Sequence, residues 1–289
     1  MPLDRLMQTL HFPDEAVSEI ARHELKNPAM AALAKRYFDG NLRFDDALVM
    51  IAITKKGSTP IEIANLLFIL HCAERLTEVY RSLGLPDSVL RDTLDDIRVK
   101  LFECKKVKGI WGNFVPFWYA GFFELRRFGL GRLQYDFHPY EWGEFSDSGI
   151  TIDQNTTVYS CHIPSNGLPL NRENVQNSLK MAHAFFRENL QNGILPVVCH
   201  SWLLRPSLAE CLSEKSNILS FASLFRLVRI DNAIGFPDAW RVFGKHYTDA
   251  NAEYPTETAM QRAILSYLRS GHHIGSACGI LLFDGEKIL

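Results

Sequence analysis

Thr157-Val-Tyr-Ser-Cys-His-Ile-Pro164 and Leu195-Pro-Val-Val-Cys-His-Ser-Trp-Leu-Leu204 are two short apolar runs, each of which reaches a Cys-His pair. Between them, Asn171 to Leu190 reads as an amphipathic helix with Val175, Leu179, Ala182, Phe185 and Phe186 on its inner face. Strand, helix and strand in this order make a β-α-β unit, which sets the two strands side by side and parallel. Side chains alternate along a strand, so Cys161 and Cys199 share one face while His162 and His200 share the other. Ligands gather beyond the carboxyl ends of parallel strands. A chemical site is therefore expected at His162 and His200.

The same α/β character runs outward through the second half. Leu130 to His138 alternates apolar and polar, as a half-buried strand does. After Leu203 the pattern predicts a short helix over Pro206–Leu212 and a kinked strand within Ile218–Ile230. A helix over Pro255–Leu268 and a last strand over Ile274–Phe283 complete a mixed sheet. The first half reads differently. Helices are predicted from Pro13, from Asn27-Pro-Ala-Met with Asn27 as the cap, over Phe44–Ile53, from Ser58 to Ser82, from Pro86 to about Val107, and over the aromatic stretch Val115–Phe128. In the fourth of these, Ile63, Leu66, Leu67, Leu70, Ala73 and Leu76 recur at helical steps and form one buried stripe. The fold class is α+β, with an all-helical domain over residues 1–129 and an α/β domain with a mixed sheet over residues 130–289.

Bulk properties narrow the functional classes. With 289 residues the chain can fill two compact domains, and nearly half of it is apolar. A net charge of −2 without a basic segment argues against nucleic acid or an anionic membrane surface as partner. No stretch approaches the roughly 20 apolar residues of a membrane span, and the opening residues lack a signal-peptide layout. Six cysteines, at 72, 104, 161, 199, 211 and 278, are scattered without a CxxC pair. Reduced thiols and a cytoplasmic location are expected.

Several residues could carry chemistry. The loop Pro164–Asn171 leads into a helix amino terminus and could offer backbone N–H groups to a phosphate through Ser165, Asn166 and Gly167. It holds one glycine and no basic residue before Arg172, so the competing reading is a turn with Asn171 as N-cap. Tyr135 to Glu144 presents Asp136, His138, Glu141 and Glu144 at a strand end, with Glu141 the candidate general base. Trp202 and Phe221 could line an apolar slot or fill the core, and Asn217 could anchor a ligand or form a turn. Gly271 suits a helix C-cap, while Gly275 and Gly279 mark a strand approached closely by a ligand or another backbone. His272 and His273 are expected at the surface. No metal site is expected, because the Cys-His pairs alternate across two faces. Cys199 sits within an apolar strand, a poor setting for a nucleophile.

His162-Ile-Pro-Ser-Asn-Gly-Leu-Pro-Leu170, Ser178-Leu with Ala184-Phe-Phe, Cys199-His-Ser-Trp-Leu-Leu-Arg-Pro206 and Ser216-Asn-Ile-Leu-Ser-Phe221 resemble the GNAT-like C-terminal domain of bacterial acyltransferases. Trp240-Arg-Val-Phe-Gly244, Gln261-Arg-Ala-Ile264 and Gly279 to Gly285 are similar to the same pattern, and the helical half resembles the N-terminal domain that accompanies it. The resemblance implies that acyl-CoA wedges where two parallel strands splay, here between 157–163 and 196–203, with His162 and His200 flanking the gap. It makes His200, His162 and Glu141 the candidate catalytic residues, and Ser165, Asn166, Gly167, Trp202 and Asn217 the candidate cofactor contacts. The implied reaction is acyl transfer from acetyl-CoA or a longer acyl-CoA to a small-molecule amine by direct attack, with the helical domain covering the acceptor side. Pro164–Asn171 departs from the family's Gln- or Arg-led loop of spaced glycines. That departure suits the alternative, a non-catalytic module binding a small molecule or a protein. A hydrolase working through Cys199 or an activated water is a third reading, with no oxyanion-hole motif to support it.

Overall fold

The computed structural model describes residues 3–289, which divide between Gly129 and Leu130 into two compact units. The first unit is helical: α1 (Leu3–Thr9), α2 (Asp14–Glu24), α3 (Ala29–Phe38), α4 (Phe44–Thr54), α5 (Ile61–Ser82), α6 (Asp87–Lys108) and, after a 3₁₀ turn at Pro116–Tyr119, α7 (Ala120–Phe123). Helices α1, α2, α3, α4 and α6 all pack on α5. The apolar stripe of α5 is buried as expected, but Ala64, Asn65, Phe68, Ile69 and Cys72 are buried too. The first half of α5 is thus enclosed on all sides, as a helix apolar all round must be.

Two expectations for this unit change. Asn27 does not cap α3 with its side chain. Its amide instead donates to the His23 carbonyl and the Thr59 hydroxyl and accepts from the Lys56 N–H, tying three segments together. The aromatic stretch Val115–Phe128 is not one helix. Leu125 takes a left-handed conformation (φ 54°), which ends α7, and the chain extends into β1 (Arg127–Leu130). The Arg127 guanidinium lies 3.5 Å from the centre of the Trp118 ring and holds the new direction.

β1 carries the chain across the division, and the second unit continues with β2 (Leu133–Pro139), the hairpin β3 (Phe145–Asp147) and β4 (Ile150–Ile152), and β5 (Thr157–His162). Then come α8 (Arg172–Phe186), β6 (Leu195–Ser201), α9 (Asn217–Ala222), β7 (Arg226–Asp231), α10 (Ala239–Phe243), α11 (Ala259–Arg269) and β8 (Ser276–Phe283). The main sheet has the order β1-β2-β5-β6-β8-β7. It is mixed: β5 and β6 are parallel, whereas β2 with β5, β6 with β8 and β7 with β8 are antiparallel. The expected strand over Ile218–Ile230 is two elements. Ser216 accepts from the Ile218 N–H and starts α9, so only the second half is strand. Pro206–Leu212 becomes a 3₁₀ turn at Pro206–Glu210, and α10 and the β3–β4 hairpin are additions to the sequence reading.

Helix α8 seals one face of the sheet. Tyr159 of β5 packs against Phe186 with ring centres 4.5 Å apart. The Ser178 hydroxyl of α8 donates to the Leu130 carbonyl (2.5 Å), accepts from the Leu133 N–H (3.2 Å) and meets the Tyr135 hydroxyl (3.1 Å), joining helix to sheet through buried polar groups. A separate apolar cluster of Trp202, Leu203 and Leu208 with α10 and α11 also takes in Ile163 and Leu170, residues that flank the loop after β5. No described helix is long and apolar enough to cross a membrane.

Candidate functional site

The site is built where β5 and β6 stop pairing. Their parallel ladder consists of Tyr159↔Val197 and Ser160↔Val198, although both strands run on, to His162 and to Ser201. The other edges stay paired. Gln134 lies opposite His162 on β2, and Cys278 lies opposite His200 on β8. Each histidine is thus fixed by its outer neighbour at the mouth of a gap between the two inner strands.

Each histidine also meets an aspartate. His162 Nε2 lies 3.0 Å from Asp136 Oδ2, and His200 Nε2 lies 3.0 Å from Asp231 Oδ2. The first pair is the more enclosed, with side chains 27% and 16% exposed; the second is 48% and 36% exposed. Register explains both. Asp136 sits opposite Ser160, one diagonal step from His162. Asp231 sits opposite Ser276, and an irregularity between Leu227 and Arg229 in β7 turns Arg229 and Asp231 onto the histidine face. A Cβ on Gly275 would stand 2.0 Å from the Asp231 carbonyl. That glycine therefore admits the β7 backbone, resolving the choice between ligand and backbone in favour of backbone. At Gly279 the close neighbour is Phe225, whose Cβ would be 2.8 Å away.

The geometry at His200 has a definite chemical sense. An ionised carboxylate only accepts, so the proton of the imidazole sits on Nε2 and Nδ1 presents its lone pair. Ser276 Oγ lies 2.8 Å from the same Nε2. A Ser-His-Asp nucleophile system needs serine and aspartate on different ring nitrogens, so Ser276 is not an activated nucleophile. Partial desolvation raises the Asp231 carboxyl, but two hydrogen bonds from Arg229 (2.9 and 3.1 Å), its charge and the bond to His200 outweigh it and hold Asp231 below the usual carboxylate range. Asp231 thus remains a fixed anion behind the ring.

Cys161 and Cys199 occupy the opposite face, whereas Cys278, paired with His200, lies buried on the histidine face. Cys199 and Cys161 are buried, and a hydrogen bond between them together with burial pushes the Cys199 thiol far up. Cys278 is pushed up to about 12, chiefly by burial. Neither thiol suits nucleophilic attack. Among the described residues no group of His, Cys, Asp and Glu could hold a metal ion.

The remaining candidates fall in several places. Glu141 is exposed just beyond Pro139, which pairs with Thr157 at the amino end of β5. The length of that strand, roughly 20 Å, separates it from the histidines, so it does not join them. Trp202 is core, edge-on to Phe236 with ring centres 5.1 Å apart, and Asn217 is the exposed first residue of α9. Ser165 is exposed beside the gap, Gly167 has φ 87°, and Asn166 donates to the Gly131 carbonyl at 3.4 Å while accepting from Leu168. Asn171 caps α8 by accepting from the Asn174 N–H at 2.9 Å. Gly271 adopts φ 84° after α11; His272 and His273 are exposed, and His273 accepts from the Gly235 N–H. A cleft of about 160 Å³, lined by Thr157, Tyr159, Ile194 and Pro196, opens at the amino ends of β5 and β6, away from the histidines. Asp231, Arg229 and Ser276 escaped sequence reasoning, because their meeting with His200 depends on strand order.

Residues 1–125 match the family model of an N-acyltransferase N-terminal domain, and residues 128–281 match that of a GNAT-like C-terminal domain. No curated protein matches the chain. Solved structures of similar fold include an acyltransferase in complex with decanoyl-CoA and teicoplanin, at a TM-score of 0.72 and 20% identity over 96% of this chain and 86% of that one. A mutant acyltransferase in complex with octanoyl-CoA has the same TM-score, identity and coverage. An acyltransferase in complex with decanoyl-CoA aligns at a TM-score of 0.63 and 20% identity over 97% of this chain and 99% of that one.

Proposed function

This chain belongs to the family that joins an N-acyltransferase N-terminal domain to a GNAT-like C-terminal domain, and from that premise we propose that it is an acyl-CoA-dependent N-acyltransferase. The observation that carries the reading is the His200–Asp231 pair, oriented on the open face of the sheet where the parallel strands part. An amine would attack the thioester carbonyl directly, forming the C–N bond and breaking C–S. Nδ1 of His200 would take the proton that the amine must lose, while backbone N–H groups at the gap would hold the carbonyl oxygen. Asp231 would fix the tautomer and balance the imidazolium that forms. His162, set the same way by Asp136 across the gap, is the second candidate base. The loop residues Ser165, Asn166 and Gly167 border the gap and are its candidate donor contacts.

The solved acyltransferases held decanoyl-CoA or octanoyl-CoA, and one held teicoplanin. Medium-chain acyl-CoAs are therefore the donors to try first, with small-molecule amines as acceptors and a cytoplasmic setting. The loop Pro164–Asn171, without the family's spaced glycines, favours one competing reading: a module that binds the ligand without turning it over.

Thermal stabilisation by acetyl-, octanoyl- and decanoyl-CoA tests the donor. A ligand at a hundredfold over its Kd adds about 2.7 kcal/mol to the stability of the native state, which displaces the melting point visibly. Stabilisation accompanied by CoA release with an amine supports the transferase, stabilisation without release across an amine panel supports the binding module, and no stabilisation by any donor removes both acyl-CoA readings.

A further inference from the structure

Arg132 occupies the turn between β1 and β2, next to Gly131, whose φ is 70°. It is only 7% exposed. Its Nη1 donates to the Pro164 carbonyl at 2.8 Å, while Nε is buried and makes no hydrogen bond. Desolvation lowers the guanidinium to about 10, and among the described residues no carboxylate offsets that cost. A buried cation without a counter-ion is expensive, and one carbonyl satisfies only part of the guanidinium fork.

The surroundings indicate what the charge is for. The register that sets Gln134 opposite His162 brings Arg132 opposite Pro164, the residue that opens the loop into α8. Asn166 of the loop donates back to the Gly131 carbonyl, so turn and loop form one corner at the carboxyl end of β5. From this corner the chain runs to the amino terminus of α8, a fifteen-residue helix whose first N–H groups and dipole favour an anion. The loop itself supplies no basic residue before Arg172.

We propose that Arg132 is the anion anchor of this corner and holds a phosphate group of the acyl donor, supplying from the β1–β2 turn the positive charge that the loop lacks. The inference rests on the acyl-CoA reading for its ligand, and it adds a specificity residue outside the loop. Arg132 would discriminate donors by their phosphates and would leave the acyl group and the proton transfer to other residues.

The test is calorimetric titration of the full-length protein and Arg132→Met with decanoyl-CoA and with decanoyl-pantetheine, which lacks the phosphates. Loss of a charge-assisted contact should weaken decanoyl-CoA on the order of 10- to 100-fold while leaving decanoyl-pantetheine unchanged. Without ligand, the variant should melt no lower than the native protein, because an unpaired buried charge has been removed. Equal weakening of both donors, unchanged binding of decanoyl-CoA, or a markedly lower melting point would each overturn the proposal and make Arg132 a brace for Pro164 or a bystander. If Arg132→Met does not fold, Arg132→Lys carries the test: selective weakening of decanoyl-CoA is expected, and equal weakening of both donors overturns it. If the native protein binds neither donor, the acyl-CoA reading fails by itself. Inorganic pyrophosphate then decides the anchor: stabilisation lost in Arg132→Met keeps the anion site, and no stabilisation ends it.

Discussion

The two faces of the main sheet are made by the same strands and have opposite characters. On the α8 face, Tyr135, Tyr159, Cys161 and Cys199 are buried, and the polar atoms of Ser178 and Tyr135 are consumed in mutual hydrogen bonds. On the other face the next residues along, Asp136, His162 and His200, are partly exposed and arranged as oriented acid–imidazole pairs. Titratable groups on the sealed face are disabled: burial pushes the Tyr135 hydroxyl far up, and the hydrogen bond with Cys161 together with burial does the same to the Cys199 thiol. On the open face, Asp231 is held more acidic than an ordinary carboxylate, chiefly by Arg229, which outweighs its partial desolvation. The α8 face therefore carries stability alone, whereas the histidine face is packed by Val158, Val198, Ile280 and Leu282 over part of its length and leaves its histidine end free to carry chemistry.

The largest effect should come from His200→Ala. Loss of a general base lowers kcat about 10²- to 10⁴-fold, and because the ring is half exposed the melting point should stay within a degree or two of the native value. A large drop in stability with retained turnover would erase the distinction between the faces. Ser178→Ala strikes the other side. It leaves the Leu133 N–H and Leu130 carbonyl without their partner and should cost about 1–3 kcal/mol in denaturant unfolding, with kcat of the folded fraction unchanged. Cys199→Ala removes one buried sulfur and should cost about 1 kcal/mol. Turnover that survives it would exclude the thiol from the chemistry, and turnover that vanishes in the folded variant would reinstate it.

The smallest expected effect concerns acid. The folded-state pKa of Asp231 is lowered, so its contribution is present above the ordinary carboxylate range and is lost only as pH falls through the lowered value. Asp231 should therefore stay charged as pH falls through the ordinary carboxylate range. In the pH profile of kcat/KM, Asp231→Asn should lower the plateau and leave no separate carboxylate step in the native profile to be removed. A native profile with such a step at ordinary carboxylate pH would show that Arg229 does not hold the charge.

Much of this arrangement was legible in two tetrapeptides. Alternation along Tyr159-Ser-Cys-His162 and Val197-Val-Cys-His200 separates the cysteines from the histidines, and the intervening amphipathic helix makes the strands parallel neighbours. Glu141 illustrates the limit. It follows Asp136 by only five residues, yet β2 carries it to the far end of β5. Ile218–Ile230 illustrates another. A six-residue helix is too short to display its period, so α9 and β7 read as one strand, and with that reading Asp231 was lost.

The sequence by itself determined the helical first half, the β-α-β unit and which face each Cys and His would take, because all of these follow from local periodicity and chain geometry. Tertiary structure alone decided which carboxylate each histidine meets, that Ser276 shares Nε2 with Asp231, and that Arg132 is buried without an acid. Those outcomes depend on sheet order, register and one irregularity in β7, which join residues far apart in the chain. Such pairings are set by how the whole sheet buries its apolar face, and no local pattern encodes them.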